Sequence, residues 1–201
     1  MLYRKFASCD FGDSVCQNWM IVKFIKNKGI KCIMCILLII NVIRGGGHTL
    51  RFLRVLRLFQ CSKNKIVKFI CKLILRRYRL KYGLEIPAET IIGKGLYLGH
   101  AFNITVNDLA VIGDYCNLHK GVVIGRENRG PRKGAPTLGN KVWVGINSAI
   151  VGNVIIGDDV LIAPCTYVNC DVPSHSVVFG NPCIIKHRDN ATEGYINNIN
   201  E

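Results

Sequence analysis

Five histidines are the residues in this sequence that are best suited to acid–base chemistry. They are His48, His100, His119, His175 and His187. An imidazole has an ordinary pKa near neutral pH, so it can take up and release a proton under working conditions. Only His100 and His119 fall within the repeated part of the chain that is described below, and they are therefore the first candidates for a general base. His48 follows three consecutive glycines, which favour a hinge between helices over a phosphate-binding loop.

Ten cysteines raise the question of disulfides or a metal site. Six lie before residue 86 and four lie after it. The only closely spaced pair, Cys32 and Cys35, lies in an apolar segment, and no second pair follows at the spacing of a zinc site. We interpret the cysteines as free, small apolar residues and predict no metal.

An aliphatic residue recurs at every sixth position through most of the second half of the chain. A small residue, most often glycine, directly follows many of these positions. Two extra residues interrupt the period before Ile112, and a longer insertion interrupts it between Gly125 and Thr137. The repeated positions are Ile86, Ile92, Leu98, Ile104, Ile112, Leu118, Ile124, Leu138, Val144, Ile150, Ile156, Ile162 and Val168.

A period of six fits neither a helix nor a simple antiparallel strand. It fits short strands joined at corners, in a triangular coil of about eighteen residues whose aliphatic side chains point to the axis. Residues 86–179 provide about five such coils, so we predict a mainly β fold, a parallel β-helix. His100 then lies at a corner, two residues after the inward Leu98. One coil plus the two-residue slip places residue 120 over residue 100, so His119 is expected near the same edge.

Basic residues are concentrated ahead of the repeat. Residues 1–85 carry 18 of the 27 Lys and Arg and only three acidic residues, a net charge of +15, whereas residues 86–201 have a net charge of −1. Arginines and apolar residues alternate at helical spacing over Leu50–Phe59, which predicts an amphipathic helix. We therefore divide the chain into a basic α-helical region (1–85), the β-helix (86–179) and a C-terminal tail (180–201). The basic region lacks zinc-finger spacing and other nucleic-acid-binding signatures, which leaves a solvated face or contact with an anionic membrane.

The sequence also bears on location. Its longest apolar run, Cys32–Ile40, has nine residues and is too short to span a membrane. The first residues lack the apolar core of a secretory signal. We expect a cytoplasmic protein. Its basic helices either present a solvated face or make peripheral contact with the cytoplasmic face of the inner membrane.

The repeat resembles that of the hexapeptide-repeat acyltransferases, and most of all their serine acetyltransferase branch with its relatives in polysaccharide biosynthesis. Ile92–His100 is similar to a strand of that branch that ends in a histidine. Val122–Gly125 opens the protruding loop of the family, and Pro136–Asn140 closes it. Gly180–Pro182 matches the turn after the last coil, so the resemblance covers about residues 84–186.

The resemblance implies a left-handed β-helix and an acetyltransferase that uses acetyl-CoA and no metal. It implies that His100 is the catalytic base. From its position near the same edge, His119 is expected to orient His100, to bind the acceptor or to cap a turn. It also implies a homotrimer with sites between subunits. The positions implied to bind coenzyme A are Arg126, Gly145, Ile146, Ala163, Pro164 and Lys186. In the inserted loop, Arg126 is joined by three more cations suited to an anionic donor or a charged sugar, Arg129, Arg132 and Lys133.

Three positions depart from the serine acetyltransferase pattern. That branch carries an aspartate directly before the catalytic histidine, where this chain has Gly99, and an arginine–histidine pair where this chain has Gly134 and Ala135. Without these charges an amino-acid acceptor loses its anchor, so we expect a sugar hydroxyl of a capsule or O-antigen type glycan precursor. L-serine is the alternative acceptor, and a non-catalytic scaffold is a second alternative. A metal-dependent β-helix enzyme would need three histidines on adjacent coils, and only His100 and His119 lie there.

Overall fold

The computed structural model describes residues 46–198 of the 201-residue chain. The predictions for earlier residues, which include the Cys32 and Cys35 pair and the longest apolar run, lie outside the described residues. Packing divides the chain into two compact units, and the division falls between Cys71 and Lys72. This division is earlier than the change in composition near residue 85.

The amphipathic helix predicted over Leu50–Phe59 is present as α1 (His48–Cys61). Its side chains separate into a cationic face and an apolar one, as helical spacing requires. The buried residues of the apolar face are Phe52, Val55, Leu56, Leu58 and Phe59.

A second helix, α2 (Lys65–Tyr82), has clear signals at both ends. At its start, Asn64 Oδ1 accepts a hydrogen bond of 2.8 Å from the N–H of Ile66, which satisfies a backbone donor that the first turn leaves unpaired. At its end, Gly83 adopts a left-handed conformation with φ of 65° and donates its N–H to the Arg79 carbonyl. Glycine tolerates this conformation because it has no Cβ.

Short strands then follow one another to the end of the fold. None has more than four residues, and each turns into the next at a corner. They are β1 (Leu84–Glu85), β2 (Ile91–Ile92), β3 (Tyr97–Gly99), β4 (Ile104–Val106), β5 (Val111–Ile112), β6 (Asn117–His119), β7 (Val123–Gly125), β8 (Thr137–Leu138), β9 (Trp143–Val144), β10 (Ala149–Val151), β11 (Ile155–Ile156), β12 (Val160–Ile162), β13 (Tyr167–Val168), β14 (Ser176–Phe179) and β15 (Ile184–His187).

Up to β13, every third strand belongs to the same sheet, which confirms the predicted β-helix of about five coils. The first sheet has the order β1-β4-β7-β10-β13, the second β2-β5-β8-β11 and the third β3-β6-β9-β12-β14-β15. All pairs are parallel except β14 with β15, which closes the last coil. In the third sheet Leu98 pairs with Leu118, Leu118 with Val144, and Val144 with Ile162. More residues separate the partners in the first two pairs than in the third, because the predicted slip and insertion lie between them. The thirteen repeated aliphatic residues are all buried.

The corners include residue types that rarely adopt a left-handed backbone. Besides Gly, Asn and Asp, the residues Tyr115, Lys141 and Cys165 have φ between 53° and 58°. A left-handed conformation is unfavourable for these side chains in isolation. Here hydrogen bonds to the neighbouring coils impose it. The N–H of Tyr115 donates to the backbone carbonyl of Lys94, and the N–H of Lys141 donates to that of Asp114.

The C-terminal tail lies against the outer face of the third sheet. Asn117 neighbours the inward Leu118 and so points outward, yet it is fully buried. Its amide donates a hydrogen bond of 3.0 Å to the carbonyl of Tyr195. The tail therefore covers part of the sheet that carries the two repeat histidines.

Candidate active site

The corner that follows each strand of the third sheet gathers most of the predicted site residues. Gly99 pairs with His119 in register. Continuing the pairing of the next strands by one residue places His119 beside Gly145, and Gly145 beside Ala163. We call these four residues and the residue that follows each of them the corner column.

His100 begins the turn after β3 and is exposed, with φ of 49°. Residue 120 lies over it in register, as the spacing predicted, so His119 lies over Gly99. The positive φ carries the backbone sharply away from the strand and leaves the imidazole on the surface of the corner column. An exposed imidazole at this position is accessible to a substrate, which a general base requires.

His119 is half-buried and held on three sides. Its Nδ1 lies 2.9 Å from the carbonyl oxygen of Val144. Its ring lies 4.6 Å from the Trp143 ring and 6.3 Å from the Tyr97 ring, measured between centroids. Because a carbonyl only accepts hydrogen bonds, Nδ1 is the nitrogen that carries the proton in the neutral ring.

The surroundings of His119 favour its neutral form. Burial lowers the pKa of His119; the hydrogen bond to the Val144 carbonyl opposes this, and the nearby His100 lowers the pKa further. Burial penalises a charged ring, and a second imidazolium close by would repel it. At neutral pH the site therefore combines an accessible imidazole with a neutral one of fixed orientation.

Four of the six predicted coenzyme A positions lie together. Gly145 and Ile146 follow β9, while Ala163 and Pro164 follow β12 on the next coil. A Cβ at Gly145 would lie 2.6 Å from the Pro164 nitrogen, so the two coils approach more closely than a side chain allows. The other two positions, Arg126 after β7 and Lys186 in β15, lie outside the corner column.

The inserted loop folds back on itself. Glu127 and Gly134 form an antiparallel bridge, and Arg132 Nε lies 3.1 Å from the Glu127 carboxylate. The carbonyl of Arg132 also accepts a hydrogen bond from the N–H of Asn153 on the following coil. One of the four loop cations is therefore paired within the loop. Arg126, Arg129 and Lys133 are exposed.

The remaining histidines lie elsewhere. His175 Nδ1 lies 2.9 Å from an Asp159 carboxylate oxygen, and His187 contacts Asp189. His48 is the first residue of α1.

Within residues 46–198, five cysteines are free thiols: Cys71, Cys116, Cys165, Cys170 and Cys183. Burial raises the pKa of Cys116 to about 12 and that of Cys71 to about 11, so both behave as apolar core residues. The sulfurs of Cys170 and Cys183 lie 3.7 Å apart. Within the same range of residues, no cluster of three or more His, Cys, Asp or Glu is placed to hold a metal ion.

The sequence did not reveal the contacts that surround His119. A Cβ at Gly99 would lie 2.3 Å from Cδ2 of the His119 ring, a consequence of the register that the slip of two residues already implied. The Trp143 ring lies at a tilt of 47° to the His119 ring. Tyr195 in turn contacts Trp143 edge-on, with 5.3 Å between ring centroids. No periodic signal connects the tail with β9, so this contact could not be predicted.

Known proteins share the repeat. Residues 135–170 match the family described as bacterial transferase hexapeptide (six repeats). The chain is 34% identical over 119 residues to the serine acetyltransferase of Synechococcus elongatus, a match that covers 59% of this chain and 49% of the relative. It is 33% identical over 113 residues to that of Helicobacter pylori, which covers 56% of this chain and 66% of the relative. The chain thus spans half to two thirds of the length of these curated relatives.

Solved structures agree on the fold. The serine acetyltransferase of Neisseria gonorrhoeae is 26% identical with a TM-score of 0.59, covering 69% of this chain and 54% of that one. The Brucella abortus enzyme is 24% identical with a TM-score of 0.62, covering 72% of this chain and 58% of that one, and shows similarity of fold alone. Repeat, coil architecture and relatives together show that this chain carries the bacterial transferase hexapeptide repeat and is similar in sequence and in β-helix fold to serine acetyltransferases.

Proposed function

We propose that the protein is an acetyl-CoA-dependent O-acetyltransferase with His100 as its general base. The observation that carries the proposal is the corner column, where the exposed His100 shares one edge of the β-helix with Gly145, Ile146, Ala163 and Pro164. Coils of a parallel β-helix are spaced by about 4.8 Å. An extended thioester arm that follows the column would therefore pass within reach of His100.

The proposed reaction is a direct transfer within a ternary complex. His100 takes the proton of the acceptor hydroxyl as its oxygen attacks the acetyl carbonyl carbon. Backbone N–H groups stabilise the negative charge on the carbonyl oxygen of the tetrahedral intermediate. The C–S bond then breaks, and the imidazolium of His100 returns its proton to the departing thiolate of coenzyme A.

Coenzyme A is the proposed ligand of the small residues in the column. Glycine at position 145 lets the pantetheine arm approach the strand backbone, where amide groups can hydrogen-bond to it. Arg126 and Lys186 are proposed to meet the phosphates, Arg126 through a planar fork and Lys186 as a point charge. Arg129 and Lys133 add to the positive charge of the loop.

Two acceptors are candidates, and different observations favour them. The names of the relatives support L-serine, which the sequence left as the alternative acceptor. They favour it over the glycan hydroxyl, which the sequence pattern favours. Gly99, Gly134 and Ala135 favour the sugar hydroxyl, because the chain lacks at these positions the acid and the cationic pair of the serine acetyltransferase pattern. We therefore rank L-serine first and a sugar hydroxyl of a glycan precursor second.

An acceptor panel tests the proposal. The purified protein is given acetyl-CoA with L-serine, with hexoses or with nucleotide-linked N-acetylhexosamines, and loss of the thioester and the mass of the product are followed. Formation of O-acetylserine supports the first acceptor, and an acetylated sugar supports the second. Binding of acetyl-CoA without transfer to any acceptor would contradict the enzyme and favour the non-catalytic scaffold.

We also propose that the chain forms a homotrimer. The second sheet presents a column of outward side chains, Ile91, Val111, Thr137 and Ile155, which pair in register. Ile91 and Ile155 are 50% and 60% exposed. Such a stripe along a solenoid face suits burial against a second copy, and light scattering of the purified protein measures the number of copies.

The same reasoning supports our proposal that α2 makes peripheral contact with an anionic membrane. Among residues 46–198 no helix is both long and apolar enough to cross a bilayer. Ile66, Phe69, Leu73 and Leu80 of α2 are 51–76% exposed. At about 100° per residue they fall within an arc of about 60°. The helix carries seven basic and no acidic residues, the composition of an interfacial helix.

Vesicle sedimentation tests this contact. We expect binding to phosphatidylglycerol vesicles that weakens with salt, and no binding to phosphatidylcholine vesicles. The double variant Phe69→Ser/Leu80→Ser should release the protein. Ile184→Ser, which removes an apolar residue of β15 that is 53% exposed, should not. Equal binding by both variants would contradict the proposal.

A further inference from the structure

The imidazole of His119 occupies the space above Gly99. A Cβ built on Gly99 would lie 2.3 Å from Cδ2 and 2.6 Å from Nε2 of this ring. Both distances are far below any ordinary contact between carbon and a heavy atom. No side chain at position 99 is therefore compatible with His119 where it stands, and the two positions act as one unit beside His100.

The orientation of the His119 ring is fixed. The carbonyl oxygen of Val144 accepts a hydrogen bond from Nδ1–H, and the tilted rings of Trp143 and Tyr97 lie beside the imidazole. In the neutral tautomer that this bond selects, Nε2 carries a lone pair and no proton. Because Gly99 has no side chain, the His119 ring fits above it. Nε2 of this ring, a hydrogen-bond acceptor, then lies next to the exposed His100.

We propose that His119 binds the acceptor directly: its Nε2 accepts a hydrogen bond from a second donor group of the acceptor molecule. The inference rests on the proposed function and adds a substrate class to it. The acceptor carries a hydroxyl or amino group beside the hydroxyl that is acetylated. An amino alcohol such as L-serine and a vicinal diol of a sugar share this chemistry.

Two variants of His119 separate its two nitrogens. His119→Asn keeps an amide donor within reach of the Val144 carbonyl and removes the Nε2 acceptor. His119→Gln places an amide oxygen near the position of Nε2 and gives up the bond to Val144. If Nε2 binds the acceptor, Asn should raise the acceptor KM by about 2- to 10-fold, the effect of one hydrogen bond. Gln should restore part of this loss, and the KM for acetyl-CoA should stay within about 2-fold in both.

Acceptors that lack the second donor complete the test. For the amino alcohol the matched compound is 3-hydroxypropionate, and for the diol it is the sugar with the neighbouring hydroxyl replaced by hydrogen. His119→Asn should not weaken the use of these compounds further, because the group that Nε2 would bind is already missing. An equal loss with complete and deleted acceptors, or a raised KM for acetyl-CoA, would overturn the inference. If the effect of His119→Asn differs between L-serine and 3-hydroxypropionate, the donor is the amino group. If it differs between the sugar and its deoxy analogue, the donor is the neighbouring hydroxyl.

A spectroscopic arm does not depend on activity. In ¹⁵N-histidine spectra, His119 should appear as the Nδ1-protonated tautomer and remain neutral as the pH falls below 6.5, the ordinary histidine value. Gly99→Ala should shift these signals. The control Gly125→Ala adds a methyl group at the end of β7, where the nearest neighbour would be 3.5 Å away, and should leave them unchanged.

The outcomes are distinguishable. An Nε2-protonated His119, or spectra unaffected by Gly99→Ala, would overturn the inference even in an active enzyme. Absence of transfer to every acceptor, with the expected tautomer present, would overturn the proposed function and with it the role of His119 in binding an acceptor.

Discussion

Two corners of the β-helix carry exposed histidines with similar backbones and opposite surroundings. His100 has φ of 49° and His175 has φ of 57°. His175 contacts the carboxylate of Asp159, whereas His100 stands next to the ring of His119 across Gly99. The same residue type in the same backbone conformation therefore has two different neighbours, one of them anionic and one neutral.

The carboxylate beside His175 is already saturated. Asp159 accepts hydrogen bonds from the N–H groups of Ala191 and Thr192, from the Thr192 hydroxyl and from His175. Burial works to raise the pKa of Asp159, but these hydrogen bonds outweigh it and hold the pKa below its ordinary value. We call this cluster the tail latch, because it fixes the start of the C-terminal tail.

The imidazole beside His100 is not saturated in this way. His119 uses Nδ1 to bind Val144, and Nε2 projects over a glycine. A corner histidine in this fold is therefore a candidate for chemistry when its neighbour has a hydrogen-bonding atom that is not already used. Where the neighbour is saturated by backbone donors, the histidine serves the fold.

The largest effect is expected from exchanging the two exposed histidines for alanine in turn. His100→Ala should lower kcat for acetyl transfer by about 10²- to 10⁴-fold, because a general base contributes this much to such a step. His175→Ala should change kcat by less than about 2-fold. Initial rates at saturating acetyl-CoA and acceptor measure both, and unfolding curves establish that each variant is folded.

An equal loss of activity in His100→Ala and His175→Ala would contradict the distinction between the two corners. In that case the corner of His175 would belong to the site, and the corner column would not single out His100. An active His100→Ala variant would remove the general base from the proposed mechanism.

Much of the fold could be predicted because every sixth side chain points inward. A single register therefore runs from Ile86 to Val168, and the slip and the insertion could be placed by counting. The same counting placed residue 120 over residue 100 and brought His119 to the edge that carries His100. Local preference failed at Tyr115 and Lys141, where hydrogen bonds between coils override the intrinsic cost of a left-handed backbone.

The surroundings of the site could be predicted only in part. The sequence pattern indicates only that Gly99 lacks the aspartate of the serine acetyltransferases. In the structure, the absence of a side chain at Gly99 makes room for the His119 ring on the next coil. Tyr195 and Asn117 are far apart in sequence, and the tail carries no repeat that would assign it to the third sheet. Contacts of this kind depend on three-dimensional packing alone.

The tail latch provides the second prediction. Asp159→Asn replaces one acceptor oxygen by an NH₂ group that faces donors, so it should lower the free energy of unfolding by about 1–3 kcal/mol. Because the folded pKa lies below the ordinary aspartate value of 3.8, the carboxylate stabilises the fold above that pH. This advantage is lost as the pH falls through the folded pKa. Urea unfolding of both proteins should therefore converge in acid.

The smallest effect tests whether the two corners are connected through the tail. The latch holds Ala191 and Thr192, Tyr195 contacts Trp143, and Trp143 packs against His119. Asp159→Asn should therefore also raise the acceptor KM, by less than His119→Asn does, while kcat stays within about 2-fold because His100 is untouched. His175→Ala should destabilise the fold less than Asp159→Asn, since its side chain is 51% exposed and an exposed ion pair contributes about 0–1 kcal/mol. An acceptor KM that is unchanged in Asp159→Asn would show that the tail serves stability alone and that the two corners act independently.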